Sequence, residues 1–85
     1  MAATYDEMLE ITTEILRKHV EAGRAIHPGD HIQNDLGLDS LAVMELVADI
    51  EDRVAVTIPN DALNEIATVE DVAKILVDLR SGATA

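Results

Sequence analysis

The chain has no cysteine, no phenylalanine and no tryptophan, and it has a single tyrosine, Tyr5. Without cysteine it can form no disulfide, no thiolate zinc site and no thiol nucleophile of its own. The near absence of aromatic residues favours helices over a sheet sandwich, whose core usually draws on aromatic side chains. The apolar fraction is 48% of the 85 residues, almost all of it aliphatic, and this is enough for the core of one small domain.

Positive charge is also scarce, because six Lys and Arg stand against seventeen Asp and Glu, for a net charge of −11. Twelve of the acids lie in residues 30–85, with only three bases. Such a surface repels nucleic acid and anionic membranes, so basic protein surfaces are the expected partners. No apolar run reaches the roughly 20 residues of a membrane span, and the first residues do not resemble a signal peptide. We therefore expect a cytoplasmic protein, and a monomer.

Three segments have the apolar spacing of amphipathic helices. In the first, apolar positions step by three and four over residues 5–19, and Gly23 is expected to end the helix. The second is predicted over residues 40–54. The third begins at Thr68, where the sequence Thr-Val-Glu-Asp resembles a capping box. Residues 60–66 predict one further, short helical piece.

The segments between the helices complete the predicted organisation. Residues 24–38 predict a long ordered loop, which in so small a domain usually has a function. Residues 1–80 are expected to form a single domain, and residues 81–85 a flexible tail. The predicted fold is all-α, a small bundle of three main helices plus one short helix.

The second predicted helix has two different faces at about 100° per residue. The face expected to contact the core holds Val43, Leu46, Val47, Ile50 and Val54. The opposite side, called the outer face below, is acidic but also apolar. It comprises Leu41, Met44, Glu45, Ala48, Glu51 and Asp52, with Asp49 at its margin. Single exposed apolar residues are normal on protein surfaces, so this pattern alone does not distinguish a docking face from a solvated one.

Ser40 stands at the start of this helix, in "DLGLDSL", residues 35–41. Taken alone, Ser40 or Asp39 is interpreted as the N-cap of the helix. The longer run continues through "VMELVADIED" and "VTIP" to "IATVEDVAKIL". In the order and spacing of these pieces, residues 32–79 resemble the acyl carrier proteins, and the first helix fits by pattern only.

The resemblance implies that Ser40 carries a 4′-phosphopantetheine arm, transferred from coenzyme A by a separate phosphopantetheinyl transferase. The chain would then be a carrier and not an enzyme, holding acyl groups as thioesters for a fatty-acid, polyketide or related dedicated lipid pathway. Asp39 would belong to the attachment motif and to the transferase's magnesium site. The outer face would dock on basic patches beside partner active sites, with Glu45, Asp49, Glu51 and Asp52 as the acids and Leu41, Met44 and Ala48 between them.

Two residues depart from the family's pattern, which often has an acid at the positions of Ala42 and Arg53. Both positions lie on the docking helix, so a carrier dedicated to one pathway is as consistent with the sequence as a housekeeping one. Two alternatives stay open. One is an aminoacyl or peptidyl carrier, which usually has a different residue pair before its serine. The other is an acidic helical adaptor in which Ser40 is only a cap.

The three histidines are the remaining candidates for chemistry. His19, His27 and His31 do not share one helical face, and no cysteine or acid completes a metal-binding set around them. We therefore predict no metal site and no catalytic residue in this chain.

Overall fold

A computed structural model describes residues 4–81, except for the side chain of Ser81. These residues form four helices and no strand: α1 (Tyr5–Leu16), α2 (Ser40–Val54), α3 (Asn60–Leu63) and α4 (Val69–Ser81). The predicted all-α bundle is confirmed, and α2 has the predicted bounds. The short helix α3 is a single turn and covers only the first part of the predicted piece. Ser81 is the last residue of α4 instead of the start of a tail, and the rest of the predicted tail lies outside the described residues.

The core lies where α1 packs against α4 and, less extensively, against α2. Its fully buried side chains are aliphatic: Leu16, Ile32, Leu46, Ile50, Val69, Val72 and Leu76. Thr12 is the buried polar residue, and its hydroxyl donates to the carbonyl of Met8 at 2.7 Å. No buried side-chain polar atom in residues 4–81 lacks a hydrogen-bond partner, so the burial of Thr12 leaves no unpaired polar group in the core.

The end of α1 differs from the prediction, because the helix stops at Leu16 and Gly23 is not its terminator. The N–H groups of Lys18 and His19 donate to the carbonyls three residues before them, at 3.1 and 2.8 Å, and this tightens the chain into a turn. His19 and Val20 stay half-buried although the backbone has left the α-helical path. The apolar spacing therefore reflects which side chains are buried, and it continues past the last residue of the helix. Gly23, with φ of +84°, belongs to a later turn.

The loop between α1 and α2 is ordered, as predicted, because it is bonded to the start of α4. The N–H of Ile32 donates to the Ala67 carbonyl at 2.9 Å. In return, the N–H groups of Val69 and Glu70 donate to the carbonyls of Asp30 and Pro28, at 3.1 and 2.9 Å. These bonds satisfy amides that the first turn of a helix cannot pair internally. The loop thereby acts as a cap on α4.

The predicted capping box at Thr68 is also confirmed. The Asp71 carboxylate accepts the N–H groups of Ala67 and Thr68 at 3.1 and 3.0 Å, and the Asp71 N–H donates to the Thr68 hydroxyl at 3.3 Å. The Thr68 N–H is the main reason that the pKa of Asp71 lies below its usual value; partial burial opposes the effect and the Ala67 N–H adds to it. A carboxyl group of this kind stabilises the fold above its unfolded pKa, and that contribution is lost as the pH falls through its folded pKa.

We expect Asp71→Ala to lower the free energy of unfolding at neutral pH by about 1 kcal/mol, because it removes the acceptor that caps α4. The difference from wild type should shrink in acid, as the pH falls through the folded pKa of Asp71, since the protonated carboxyl no longer favours the folded state. Urea unfolding at the two pH values measures both effects. Glu65→Ala, which removes an exposed acid outside the helices, is the control. A difference of the same size at both pH values would contradict the role of the ionised carboxylate.

The C-terminus of α2 is closed by a residue in a left-handed conformation. Ala55 has φ of +60° and ψ of 45°, and its N–H donates to the Glu51 carbonyl at 2.9 Å. This position usually holds glycine, because a Cβ in this conformation costs about 1–2 kcal/mol. Ala55 therefore ends α2 at a local cost, and the extended segment towards α3 begins there.

Candidate functional site

Ser40 is the first residue of α2, and Asp39 before it is the N-cap. One Asp39 carboxylate oxygen, Oδ1, accepts the N–H of Ala42 at 2.8 Å. Both Asp39 and Ser40 are exposed. Of the two residues that the sequence left open as the cap, Asp39 takes that role. Within residues 4–81 the Ser40 hydroxyl has no hydrogen-bond partner, so it is accessible for reaction.

The segment before Ser40 is fixed by two leucines on either side of a glycine. Leu36 and Leu38 are buried in the core, and Gly37 between them has φ of +77°, which favours glycine. The N–H groups of Gly37 and Leu38 donate to the carbonyls of Gln33 and Ile32, at 3.1 and 3.2 Å. The chain therefore leaves the core at Leu38 and reaches the surface at Ser40.

The start of α2 suits a negatively charged group on the serine. Helix N-termini present unpaired N–H groups and a positive end of the helix dipole, which stabilise phosphate. The first turns of α1, α3 and α4 hold acidic residues, whereas the first turn of α2 holds none. A phosphodiester at Ser40 would therefore lie at an exposed helix N-terminus, beside the capping Asp39 and with no acid in the first turn, and the residues present fit such a modification.

The outer face of α2 is exposed beside this serine, as predicted from the helical pattern. Leu41 and Met44 are 66% and 69% exposed, the large hydrophobic side chains most open to solvent in the described part of the chain. Glu45, Ala48 and Asp52 are exposed with them. The opposite face is buried at Leu46, Val47, Ile50 and Val54 and half-buried at Val43.

Two acids of the outer face are engaged inside the fold, which the sequence did not reveal. Glu51 is half-buried, and its carboxylate accepts the N–H of Ile58 at 2.7 Å, which holds the segment after α2. Asp49 Oδ2 lies 3.0 Å from Nε2 of His19. Glu45 and Asp52 have no such partner within residues 4–81. These two carboxylates are the acids of the outer face most available to another protein.

Arg53, the basic residue near the end of α2, pairs with α1. Its guanidinium Nη2 lies 3.1 Å from a carboxylate oxygen of Glu14, and both side chains are about half exposed. Arg53 therefore connects two helices at the edge of the outer face. An exposed pair of this kind contributes at most about 1 kcal/mol to stability.

The other histidines make local contacts. His27 lies 3.5 Å from Asp30, and the ring of His31 accepts the Asn34 N–H at 3.1 Å. Residues 4–81 contain no cluster of His, Cys, Asp or Glu arranged to hold a metal ion.

An apolar groove runs along α2 on the side of α3, with a volume of about 290 Å³. It is lined by Val43, Met44, Val47, Ala48, Glu51 and Leu63. Val43 and Met44 follow Ser40 by three and four residues, so the groove begins one helical turn beyond the serine. This groove could not be predicted from the sequence, because Leu63 joins it only through the placement of α3.

A family model described as "Phosphopantetheine attachment site" matches residues 6–76. The chain belongs to this family. It is 37% identical over 71 residues to a protein of Caulobacter vibrioides described as a probable acyl carrier protein, covering 84% of this chain and 78% of that one. It is 38% identical over 82 residues to the acyl carrier protein of Streptomyces coelicolor, covering 92% of this chain and 89% of that one.

Membership in this family confirms the resemblance inferred from the sequence. Family members are carriers and not catalysts, and they carry a covalently attached 4′-phosphopantetheine. They interact with a phosphopantetheinyl transferase and with acyl-handling enzymes. In the described part of the chain, no helix combines the length and the apolar character that crossing a bilayer requires.

We expect Glu51→Ala to destabilise the protein, and Glu45→Ala, a matched change on the same helix, to leave its stability nearly unchanged. The first variant leaves a partly buried amide without its charged acceptor, at a cost of about 1.5 kcal/mol. The second removes an exposed acid, which usually changes stability by no more than about 0.5 kcal/mol. Urea unfolding followed by circular dichroism compares them. Equal effects would mean that Glu51 belongs with the solvent-facing acids.

Proposed function

We propose that Ser40 is the attachment point of the 4′-phosphopantetheine arm and that the protein delivers acyl intermediates to enzymes of a fatty-acid, polyketide or related dedicated lipid pathway. The observation that carries this proposal is the exposed Ser40 hydroxyl at the N-terminus of α2, which Asp39 leaves free by serving as the cap. A serine needed only as a cap would accept a hydrogen bond from a backbone N–H of the first turn through its hydroxyl oxygen.

The attachment reaction uses the Ser40 hydroxyl as the nucleophile. Ser40 Oγ attacks the phosphorus on the pantetheine side of the coenzyme A pyrophosphate and forms an O–P bond, while its proton passes to a base of the transferase. The bond to the adenosine 3′,5′-bisphosphate leaving group breaks. Asp39 uses Oδ1 for the helix cap. Its second oxygen remains to face the transferase's magnesium. Once attached, the arm supplies the thiol that holds the acyl group.

Docking on partner enzymes is assigned to the outer face of α2. Leu41 and Met44 supply apolar contact area next to Ser40, and Glu45 and Asp52 supply charge for a basic partner. Ala48 lies between the two acids and leaves room for a close approach. Asp49 belongs to the edge of this surface, and Glu51 contributes to it mainly by holding the backbone at Ile58.

The apolar groove beside α2 supports an acyl cargo over an aminoacyl or peptidyl one. Burial in an apolar groove stabilises an aliphatic chain, because its surface is removed from water, whereas it stabilises a polar aminoacyl group very little. The lining of Val43, Val47 and Leu63 suits the aliphatic chain.

Loading with phosphopantetheine is the direct test of the attachment site. Incubated with coenzyme A and a phosphopantetheinyl transferase of broad specificity, the wild-type protein should gain one phosphopantetheine in its intact mass. Ser40→Ala should gain none, because its nucleophile is gone. Ser81→Ala, which removes the other serine of the chain, is the control and should load like wild type. Loading of Ser40→Ala would place the site elsewhere, and an unmodified wild type would favour the adaptor.

Charge reversal on the outer face tests the docking assignment. Glu45→Lys and Asp52→Lys should remain helical, since both positions are exposed, but should load roughly threefold more slowly at low salt because exposed charges steer encounter. The loss should shrink as salt screens the interaction. Glu10→Lys, an equal reversal of an exposed acid on α1, is the control. If Glu10→Lys slows loading as much as the other two variants, net charge and not the outer face governs recognition. If Glu45→Lys and Asp52→Lys load at the wild-type rate at low salt, the docking assignment is wrong.

A further inference from the structure

His19 connects the turn after α1 to the margin of the outer face. Its side chain is only 15% exposed, and its Nε2 atom lies 3.0 Å from Oδ2 of Asp49. Asp49 is 51% exposed, so one side of its carboxylate is bonded to the ring while the rest faces solvent. The contact joins residues 30 positions apart in the chain and therefore depends on how α1 and α2 are packed.

Other charged groups also lie near this ring. A cleft of about 330 Å³ beside His19 is lined by Glu21 and Arg24 from the loop after α1 and by Asp35 from the segment before α2. The guanidinium of Arg24 donates to the main-chain carbonyl of Asp35. Within residues 4–81, Asp49 is the α2 residue that is hydrogen-bonded to the His19 ring. Of the charged groups near the ring, Asp49 is the one that belongs to the outer face.

We propose that His19 is a positioning residue of the docking surface, and that its protonation cancels the charge of Asp49 and weakens docking on basic partners. This inference rests on the proposed docking function. Histidine changes charge between about pH 5 and pH 8. With a neutral ring, Nε2–H donates to Asp49, which keeps its negative charge and adds it to those of Glu45 and Asp52. With a protonated ring, the pair sums to zero.

The consequence is a carrier whose rate of encounter with basic surfaces depends on pH. Of the exposed acids Glu45, Asp49 and Asp52, the outer face keeps three charges when His19 is neutral and loses one of them on protonation. Exposed charges steer the approach of a partner, and salt screens this attraction. The loss of one negative charge therefore lowers the rate of encounter. Basic partners are therefore favoured above the range in which His19 takes up its proton.

The test compares the second-order rate of loading by one phosphopantetheinyl transferase for wild type and His19→Gln, at low salt and at about pH 5.5 and pH 8. Glutamine keeps an amide N–H that can reach Asp49 but carries no charge. The ratio of the variant rate to the wild-type rate should be about threefold higher at the lower pH, the size of one exposed charge interaction. Taking this ratio at each pH removes the titration of the transferase itself and the contribution of Glu21, Arg24 and Asp35.

A second histidine–acid pair supplies the matched control. His27 lies 3.5 Å from Asp30 in the loop between α1 and α2, and neither residue belongs to the outer face. His27→Gln should therefore leave the ratio the same at both pH values, and high salt should suppress the change caused by His19→Gln. If His19→Gln does not fold, by circular dichroism, His19→Asn takes its place. An unchanged ratio for the His19 variant, or an equal change for His27→Gln, overturns the inference. Absence of any loading at Ser40 would instead overturn the proposed function.

Discussion

Residues 28–32 are hydrogen-bonded through their main chain to the first turn of α4, and most of the site depends on this contact. The N–H groups of Val69 and Glu70, which α4 cannot pair by itself, are satisfied by carbonyls of the loop, and the Asp71 N–H is satisfied by the Thr68 hydroxyl. With the loop anchored at that end, Leu36 and Leu38 enter the core, and only Asp39 lies between Leu38 and the first residue of α2. Ser40 is exposed because the residues just before it are held.

Among the seventeen acids of this chain, two groups have clearly different physical roles. Asp39, Glu51 and Asp71 accept backbone N–H groups, and they hold the start of α2, the segment after it and the start of α4. In these positions the negative charge is compensated by hydrogen-bond donors. Acids such as Glu45 and Asp52 face water without a partner within residues 4–81, and they account for the field that a basic protein would encounter. A high net charge is thus compatible with an ordered bundle.

Sequence reasoning succeeded where the signal is local and failed where it depends on packing. The bounds of α2 follow from Asp39 as a cap and from the core face of the helix, and both features lie within one segment. The end of α1 was misplaced because His19 remains half-buried after the helix has ended. The partners of Asp49 and Glu51 were missed because a ring 30 residues away and a main-chain N–H leave no trace in a helical pattern.

The left-handed residue that closes α2 gives the outer face a fixed length. At 1.5 Å per residue, the fifteen residues of α2 form a rod of about 22 Å, with Ser40 and Asp52 about 18 Å apart along it. A rigid helix transmits that spacing to whatever it touches. If a partner enzyme contacts Asp52 through a basic residue, that residue and the partner's active site must be separated by the same distance. The length of α2 therefore sets this spacing, and Ala55 ends the helix.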